Sequence, residues 1–526
     1  MHNPEKRPLK ELIYQEISSR ILAGKLQPDT QLVERQMADE LGVSRMSLRD
    51  AFALLEERGF IRIIPRRGAF VISQNAHTPP ESSTKTSLDI VDDPATSELY
   101  KKLQRKRTLE SDPNYKKVEV ANKKVIERLQ TADAVLTNIV PAWQVMDGFE
   151  GKMILHAGPP IQWENMCGTM RGAMIGAVLY EGWAHNENTA VELLGSGEIK
   201  FKPTHDYRCV APMAGVVTPS MSVMVVENTR YSVKAYSPLP LGGAHTLAMG
   251  AYDKKVINRL HWVNNDFSEV MSKALQTIGQ CDIRSLMIQG LQMGDEMHNH
   301  TKASSLLWLK EFTPAIATQK TKAAVASLEF LCKYDNIFLN VAMAASKTML
   351  LAANNIKHSS IITVLARNGV EFGIQVSGLG NQWFTAPSPY VNGVFFPGYG
   401  MQDADRDIGD SAITETLGFG ALAGAASPLV SQIVGCSPAK IFDITQEMYK
   451  ITADKHDAFR IPALDFSGIP LGIDLRKVYH LGLTPYIDTA IAHRKSGKGQ
   501  IGSGLASSPL GCFHTAYQRF MEEYPK

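Results

Sequence analysis

The stretch MGDEMHNHTKA gathers Asp295, Glu296, His298, Asn299, His300 and Lys302 into one short segment. Drawn as a helix, it puts Asp295 and His298 on one face at i, i+3, and Glu296 and His300 on another at i, i+4. A carboxylate beside an imidazole is the pairing used for general acid–base work, and it is also half of a metal site. The alternative is a helix terminus whose polar groups satisfy one another. Glu296 and His298 are the candidate proton handlers.

Oxyanion chemistry would need cations or amide groups, and three further stretches offer them. LHAGPPIQWENMCGTMRGAMIGA places Arg171 near a helix start among Gly168, Gly172 and Gly176. An arginine there can grip a carboxylate or phosphate, or simply sit on the surface of a glycine-spaced packing helix. ARNGVEFGIQVSGLG sets Arg367 and Asn368 at a strand end, where ligands of α/β proteins often bind. DADRDIGDSAITETLGFG alternates Asp403, Asp405 and Asp407, but Ile408 and Thr414 stand where a calcium loop needs glycine and glutamate. Asp410 or Ser411 capping a helix is the better reading of that stretch. The ARNGVEFGIQVSGLG stretch is neither a phosphate loop nor a dinucleotide-binding fingerprint, and neither a metal centre nor a cofactor is assigned.

The elements that must position these groups divide into zones. Residues 1–75 are compactly patterned. Residues 76–98, rich in Pro, Ser, Thr and acidic side chains, read as a linker. Residues 99–250 read as an α/β lobe, 251–330 as a helical segment and 331–526 as a second α/β lobe. The fold class is multidomain α+β, with a large mixed α/β body. Apolar content of 44% and a net charge of +2 are ordinary globular values, so nucleic-acid binding must come from local clustering. Six scattered cysteines without a C-x-x-C pair fit a reducing cytoplasm. The small-residue run Leu417 to Gly435 reads as a buried helix rather than a membrane span. The expectation is a cytoplasmic protein with no membrane contact.

Local clustering of charge occurs in the head. Leu9, Ile13, Ile17 and Ile21 share one helical face. A second helix from about Val33 to Leu41 is followed by a tight turn at Gly42-Val43. Ser44 then caps a third helix from Arg45, leaving Arg45, Ser47 and Arg49 at the end where recognition helices meet base edges. GFIRIIPRRGAFVIS alternates into two strands around a basic turn. Six arginines fall between positions 45 and 67, against Asp50, Glu56 and Glu57. Together these features describe a winged helix-turn-helix that binds double-stranded DNA.

Residues 8–74 resemble the winged-helix head of GntR-type bacterial regulators, through QLVERQMADELGVSRMSLRDAFALLEERGFI and RRGAFV. The resemblance implies DNA contacts at Arg35, Ser44, Arg45, Ser47 and Arg49, a wing at Arg66, Arg67 and Gly68, and a homodimer on a palindromic operator. From about Val118 to Phe513 the chain resembles the YlbE-like subunit family of oxamate carbamoyltransferase. ILHAGPPIQWENMCGTMRGAMIGA, PMAGVVTPSM, MGDEMHN, ARNGVEFGIQVSGLG, FPGYG, DIGDSAITET, GIDLRKV and GQIGSG carry it, in order. This implies a link to purine catabolism and chemistry on oxamate, oxalurate and carbamoyl phosphate beside partner subunits. Arg171, Arg367 and Arg476 are then the side chains to hold carboxylate and phosphate oxygens. The expected function is a transcription regulator whose enzyme-like body senses a small anionic metabolite. The alternative is an active carbamoyltransferase subunit with an appended DNA-binding head.

Overall fold

The computed structural model describes residues 9–22, 26–27, 30–41, 43, 45–57, 60–64, 68–72 and 115–524. Two compact units make up the chain, Met1–Pro113 and Asn114–Lys526. The expected linker at 76–98 lies outside the described residues.

In the first unit the apolar period-four spacing becomes the helix Leu9–Leu22, followed by Glu34–Leu41 and Arg45–Glu57. Ile13, Ile17 and Ile21 are buried against Leu48, Ala51, Phe52 and Leu55. A three-stranded antiparallel sheet completes it, in the order Gln31–Leu32, Gly68–Val71, Ile61–Ile64. The last two strands form the winged hairpin, with Ile61 opposite Val71 and Ile64 opposite Gly68.

The second unit opens with the amphipathic helix Tyr115–Thr131 and builds three principal cores. The largest surrounds Leu339–Ala352, a helix whose sequence LNVAMAASKTMLLA is apolar on nearly every side and is buried accordingly. It packs on an antiparallel sheet ordered Cys281–Asp282, Val135–Pro141, Ser222–Asn228, Val233–Pro238. Helices run from Lys254 through Ala352, so the helical stretch extends beyond residue 330.

The second core joins Gly168–Tyr180 to the small sheet Lys200–Pro203, Met153–His156, Val216–Val217. The third is built on the sheet Phe384–Pro387, Glu371–Val376, Ile362–Asn368, Ile408–Gly409, covered by Pro438–Ile451 and Leu510–Glu523. No helix among the described residues is long and apolar enough to cross a membrane.

Gly168, Gly172 and Gly176 form the close-packing face of their helix, as the packing alternative has it. A Cβ on Gly172 would lie 2.1 Å from the Gly250 carbonyl oxygen, and one on Gly168 would lie 1.9 Å from that of Arg494. Both neighbours are backbone and cannot swing aside. Gly172→Ala is therefore expected to cost about 1–3 kcal/mol in urea unfolding, the usual range for overpacking. Gly195→Ala, where the new methyl would meet Trp163 at an ordinary 3.8 Å, is the control and should cost nothing. Equal losses at both positions would refute the packing account.

Two expectations are corrected. The run from Leu417 to Gly435 is buried but is not one helix. It is a tight 3-10 segment, Gly420–Ala426, followed by the short helix Val430–Val434. Gly418 and Gly420 adopt φ of +117° and +56°, which interrupt a helix, and Pro428 separates the two pieces. The segment MGDEMHNH is likewise a loop between the helices Ile283–Gln292 and Lys302–Ala317. Gly294 and Met297 take positive φ there. Asp295 turns forward to cap the next helix, accepting from the backbone N–H of Ala303 at 3.1 Å and of Ser304 at 2.6 Å.

Candidate functional site

In the DNA-binding unit, the recognition helix begins at Arg45 and the wing strand at Gly68. Gly68 has φ +102°, a conformation that suits glycine at the turn between the wing strands. Arg49 is exposed, and its Nε donates to both carboxylate oxygens of Glu34 at 3.0 and 2.9 Å. This pair ties the recognition helix to the helix before it while leaving the guanidinium in solvent. Ser44, Arg66 and Arg67 lie outside the described residues, as do the side chains of Arg35, Arg45 and Ser47.

The body contains a cavity of about 480 Å³. Its walls come from the Pro238–Ala244 and Thr246–Met249 segments, with Tyr334 lying across Gly242 and Gly243. His298, Asn299, His300, Asn340, Ser411 and Gln500 are among its polar lining groups, which also include Lys302 and Asp335, paired at 3.2 Å. The Ser411 hydroxyl and the Asn299 amide nitrogen are buried without a hydrogen-bond partner. Asp295, 3.2 Å from the His300 ring, raises that imidazole above its ordinary pKa.

At His298 the loop meets two other elements. Its Nδ1 lies 2.7 Å from Glu415 Oε1, on the helix Ile413–Leu417, and 3.2 Å from Asp488 Oδ1, on the strand Tyr486–Ala492. Both carboxylates are fully buried. Glu296 adds a third, accepting from the backbone N–H groups of His298 and His300. Burial opposes charge on the imidazole, yet the two carboxylates win and raise His298 to about 10. Glu415 is held below its ordinary value despite its burial, mainly by His298. Burial pushes Asp488 up to about 6 and Glu296 well above the carboxylate range. The cluster thus combines an acid, a base and a mixed nitrogen–oxygen donor set suited to a proton or a metal ion.

A second polar cluster centres on Asp410. Its carboxylate accepts from Gly158 N at 2.7 Å, Thr204 Oγ1 at 2.6 Å and Ala211 N at 2.9 Å. His205 Nε2 stands 3.3 Å away, and Lys347 Nζ contacts His205 Nδ1 at 3.0 Å. This is a cross-chain hub rather than the helix cap read from sequence. Burial is opposed by His205 and the other donors, and the outcome is an Asp410 pKa below the ordinary value. Burial lowers Lys347 to about 8 and also lowers His205.

The arginines expected to hold anions face protein groups instead. Arg367 is fully buried and grips Asp407 through Nε at 2.8 Å and a terminal nitrogen at 3.0 Å, with Gly409 O and Thr489 Oγ1 as further acceptors. Asn368 donates to Pro159 O and accepts from the N–H groups of Val370 and Glu371. Arg476 is bound to Asp474, Glu119 and Ser360. Arg171 donates to the carbonyls of Met166 and Glu164 and lies over the Trp163 ring. None of the four lines the cavity.

Comparison with known proteins matches this arrangement to two families. Residues 199–411 fit the family model "Oxamate carbamoyltransferase subunit AllG", and residues 9–71 fit "Bacterial regulatory proteins, gntR family". The oxamate carbamoyltransferase subunit AllG of Escherichia coli (strain K12) is 41% identical over 410 residues, covering 77% of this chain and 98% of that protein. The chain belongs to the AllG family. A crystal structure of a conserved protein of unknown function from Enterococcus faecalis V583 shares the AllG-like fold. Its TM-score is 0.76 at 40% identity, over 78% of this chain and 98% of that one. The head is similar to the HTH-type transcriptional repressor RspR of Escherichia coli (strain K12), 36% identical over 69 residues and 30% of that protein. A gntR-type DNA-binding domain is therefore joined to an AllG-like body.

Sequence reasoning found Glu296 and His298 but missed Glu415, Asp488, His205 and Lys347. The available signal was a lone charge in an apolar element: Asp488 in YIDTAIA and Lys347 in VAMAASKTMLLAA.

Proposed function

We propose that this chain is a transcription regulator in which the AllG-like body binds a small anionic metabolite and so changes the affinity of the head for its operator. The observation that carries this reading is the joining of a winged helix to a body with a largely apolar cavity that carries a few polar groups. The cavity carries His300, Ser411 and Asn299 beside the Lys302–Asp335 pair, groups that suit a small ligand bearing carboxylate and amide groups. Oxamate, named in the relative's activity, has that chemistry, and carbamoyl phosphate and oxalurate are the other candidates. The reading includes a cytoplasmic homodimer on a palindromic site and a place in purine catabolism. To regulate, the ligand must bind the DNA-competent and DNA-incompetent states with different affinity.

The test is fluorescence anisotropy on duplexes from the gene's own upstream region, at fixed salt, with each ligand titrated in turn. Arg45→Ala and Arg49→Ala should each weaken specific binding about 5- to 150-fold, the worth of a good base-edge contact. Equal binding to unrelated duplexes, or an operator affinity indifferent to all three ligands, would refute the reading. A second reading, an active carbamoyltransferase subunit with a DNA-binding head, is favoured by the buried acid–base cluster at His298. Carbamoyl transfer by the purified chain, alone or with added partner subunits, separates the two.

A further inference from the structure

We propose that His298, Glu415 and Asp488 bind a divalent transition-metal ion beside the cavity. One donor atom from each residue lies within 4.8 Å of the other two. The imidazole Nδ1 is 2.7 Å from one carboxylate oxygen and 3.2 Å from the other. Ligands that each sit ~2.0–2.2 Å from a common ion are separated by about that much.

Asp488 supplies an independent observation. Its side chain is fully buried, no backbone N–H or hydroxyl donates to either carboxylate oxygen, and it meets the His298 ring, 3.2 Å from Oδ1, and the Glu415 carboxylate. A buried carboxylate without such donors is costly unless a cation compensates it. One imidazole does not compensate two buried carboxylates. A divalent ion taking the place of the proton at Nδ1 removes this imbalance.

The surroundings are arranged as a ligand set requires. Glu415 Oε2 accepts from Thr414 Oγ1 at 3.0 Å, which orients the carboxylate, and Gly420 leaves room for it, since a Cβ there would overlap Glu415 Oε1. Of the three ligands, His298 also lines the cavity. The mixed nitrogen–oxygen set selects zinc, manganese or iron over calcium and magnesium.

The test uses the full chain, freed of any affinity tag, stripped with chelator and titrated with Zn²⁺ or Mn²⁺ alone. One equivalent per chain is expected by elemental analysis after dialysis. Asp488→Asn and His298→Gln should each weaken binding at least 100-fold while leaving the chelator-treated protein with native circular dichroism. Wild-type protein that retains no metal, or variants that bind as wild type does, would overturn the proposal. Should a variant fail to fold, the Mn²⁺-loaded wild type decides: pulsed electron paramagnetic resonance must show one coordinated imidazole nitrogen, and its absence overturns the site. These readouts involve neither DNA nor metabolite, so they succeed or fail independently of the regulatory reading.

Discussion

Arg367→Met should destabilise the AllG-like body by about 3–5 kcal/mol, read as a lower urea midpoint of tryptophan fluorescence. The arginine and Asp407 are both wholly inaccessible to solvent, and the pair is bidentate. Methionine fills much of the same volume but leaves the Asp407 carboxylate buried without its cation. It also strips a donor from Gly409 O and Thr489 Oγ1. Removing one partner of a buried pair is costly because the other charge stays behind, whereas removing both need not be. The double variant Arg367→Met, Asp407→Leu should therefore recover most of the loss. A single variant costing under about 1 kcal/mol, or a double variant no better than the single, would contradict this account.

Between pH 8 and 10.5 Lys347 should contribute up to ~3 kcal/mol of rising stability, read as the difference in pH slope between wild type and Lys347→Met. The difference is the readout because His298 and the buried cysteines act in the opposite sense in both proteins. Burial lowers Lys347 from 10.5 to about 8. Below pH 8 the lysine is protonated in both folded and unfolded chains, so the full cost of burying its charge is present. Between about 8 and 10.5 only the unfolded chain holds the proton, and stability increases with pH wherever the unfolded state binds more protons. Asp410 acts in the same direction in a lower pH window. Its folded pKa is depressed, so its contribution is present above the ordinary carboxylate value and is lost as pH falls through the folded one.

Asp410→Asn should cost about 3 kcal/mol at pH 7, because an amide cannot accept from Gly158 N, Thr204 Oγ1, Ala211 N and His205 at once. Unfolding curves at pH 7, 8, 9 and 10 for wild type and both variants check these statements. A Lys347→Met protein with the wild-type slope would refute the first.

The two readings of the body lead to different uses of the same cavity. As a sensor, it transmits the presence of a ligand to a head that can switch only through a difference in free energy between states. As an enzyme subunit, it would place the His298 cluster against a reacting group, where an imidazole flanked by carboxylates suits proton transfer. His298 lines the cavity in either case.

What the sequence alone determined lies mostly in local pattern. The spacing of Ile13, Ile17 and Ile21, the start of the recognition helix at Arg45 and the hairpin reaching Gly68 all follow from interactions among near neighbours. Backbone hydrogen bonding and one-sided burial impose those periods directly. The packing face of Gly168, Gly172 and Gly176 was legible for the same reason.

Tertiary structure alone decided what each polar side chain meets. His298 finds Glu415 and Asp488 from distant parts of the chain, and Arg367 and Arg476 find Asp407 and Glu119. An arginine in sequence looks the same whether it will face an anion, solvent or a buried carboxylate. Its partner is set by which elements pack together, and its charge is retained only where that packing supplies compensation.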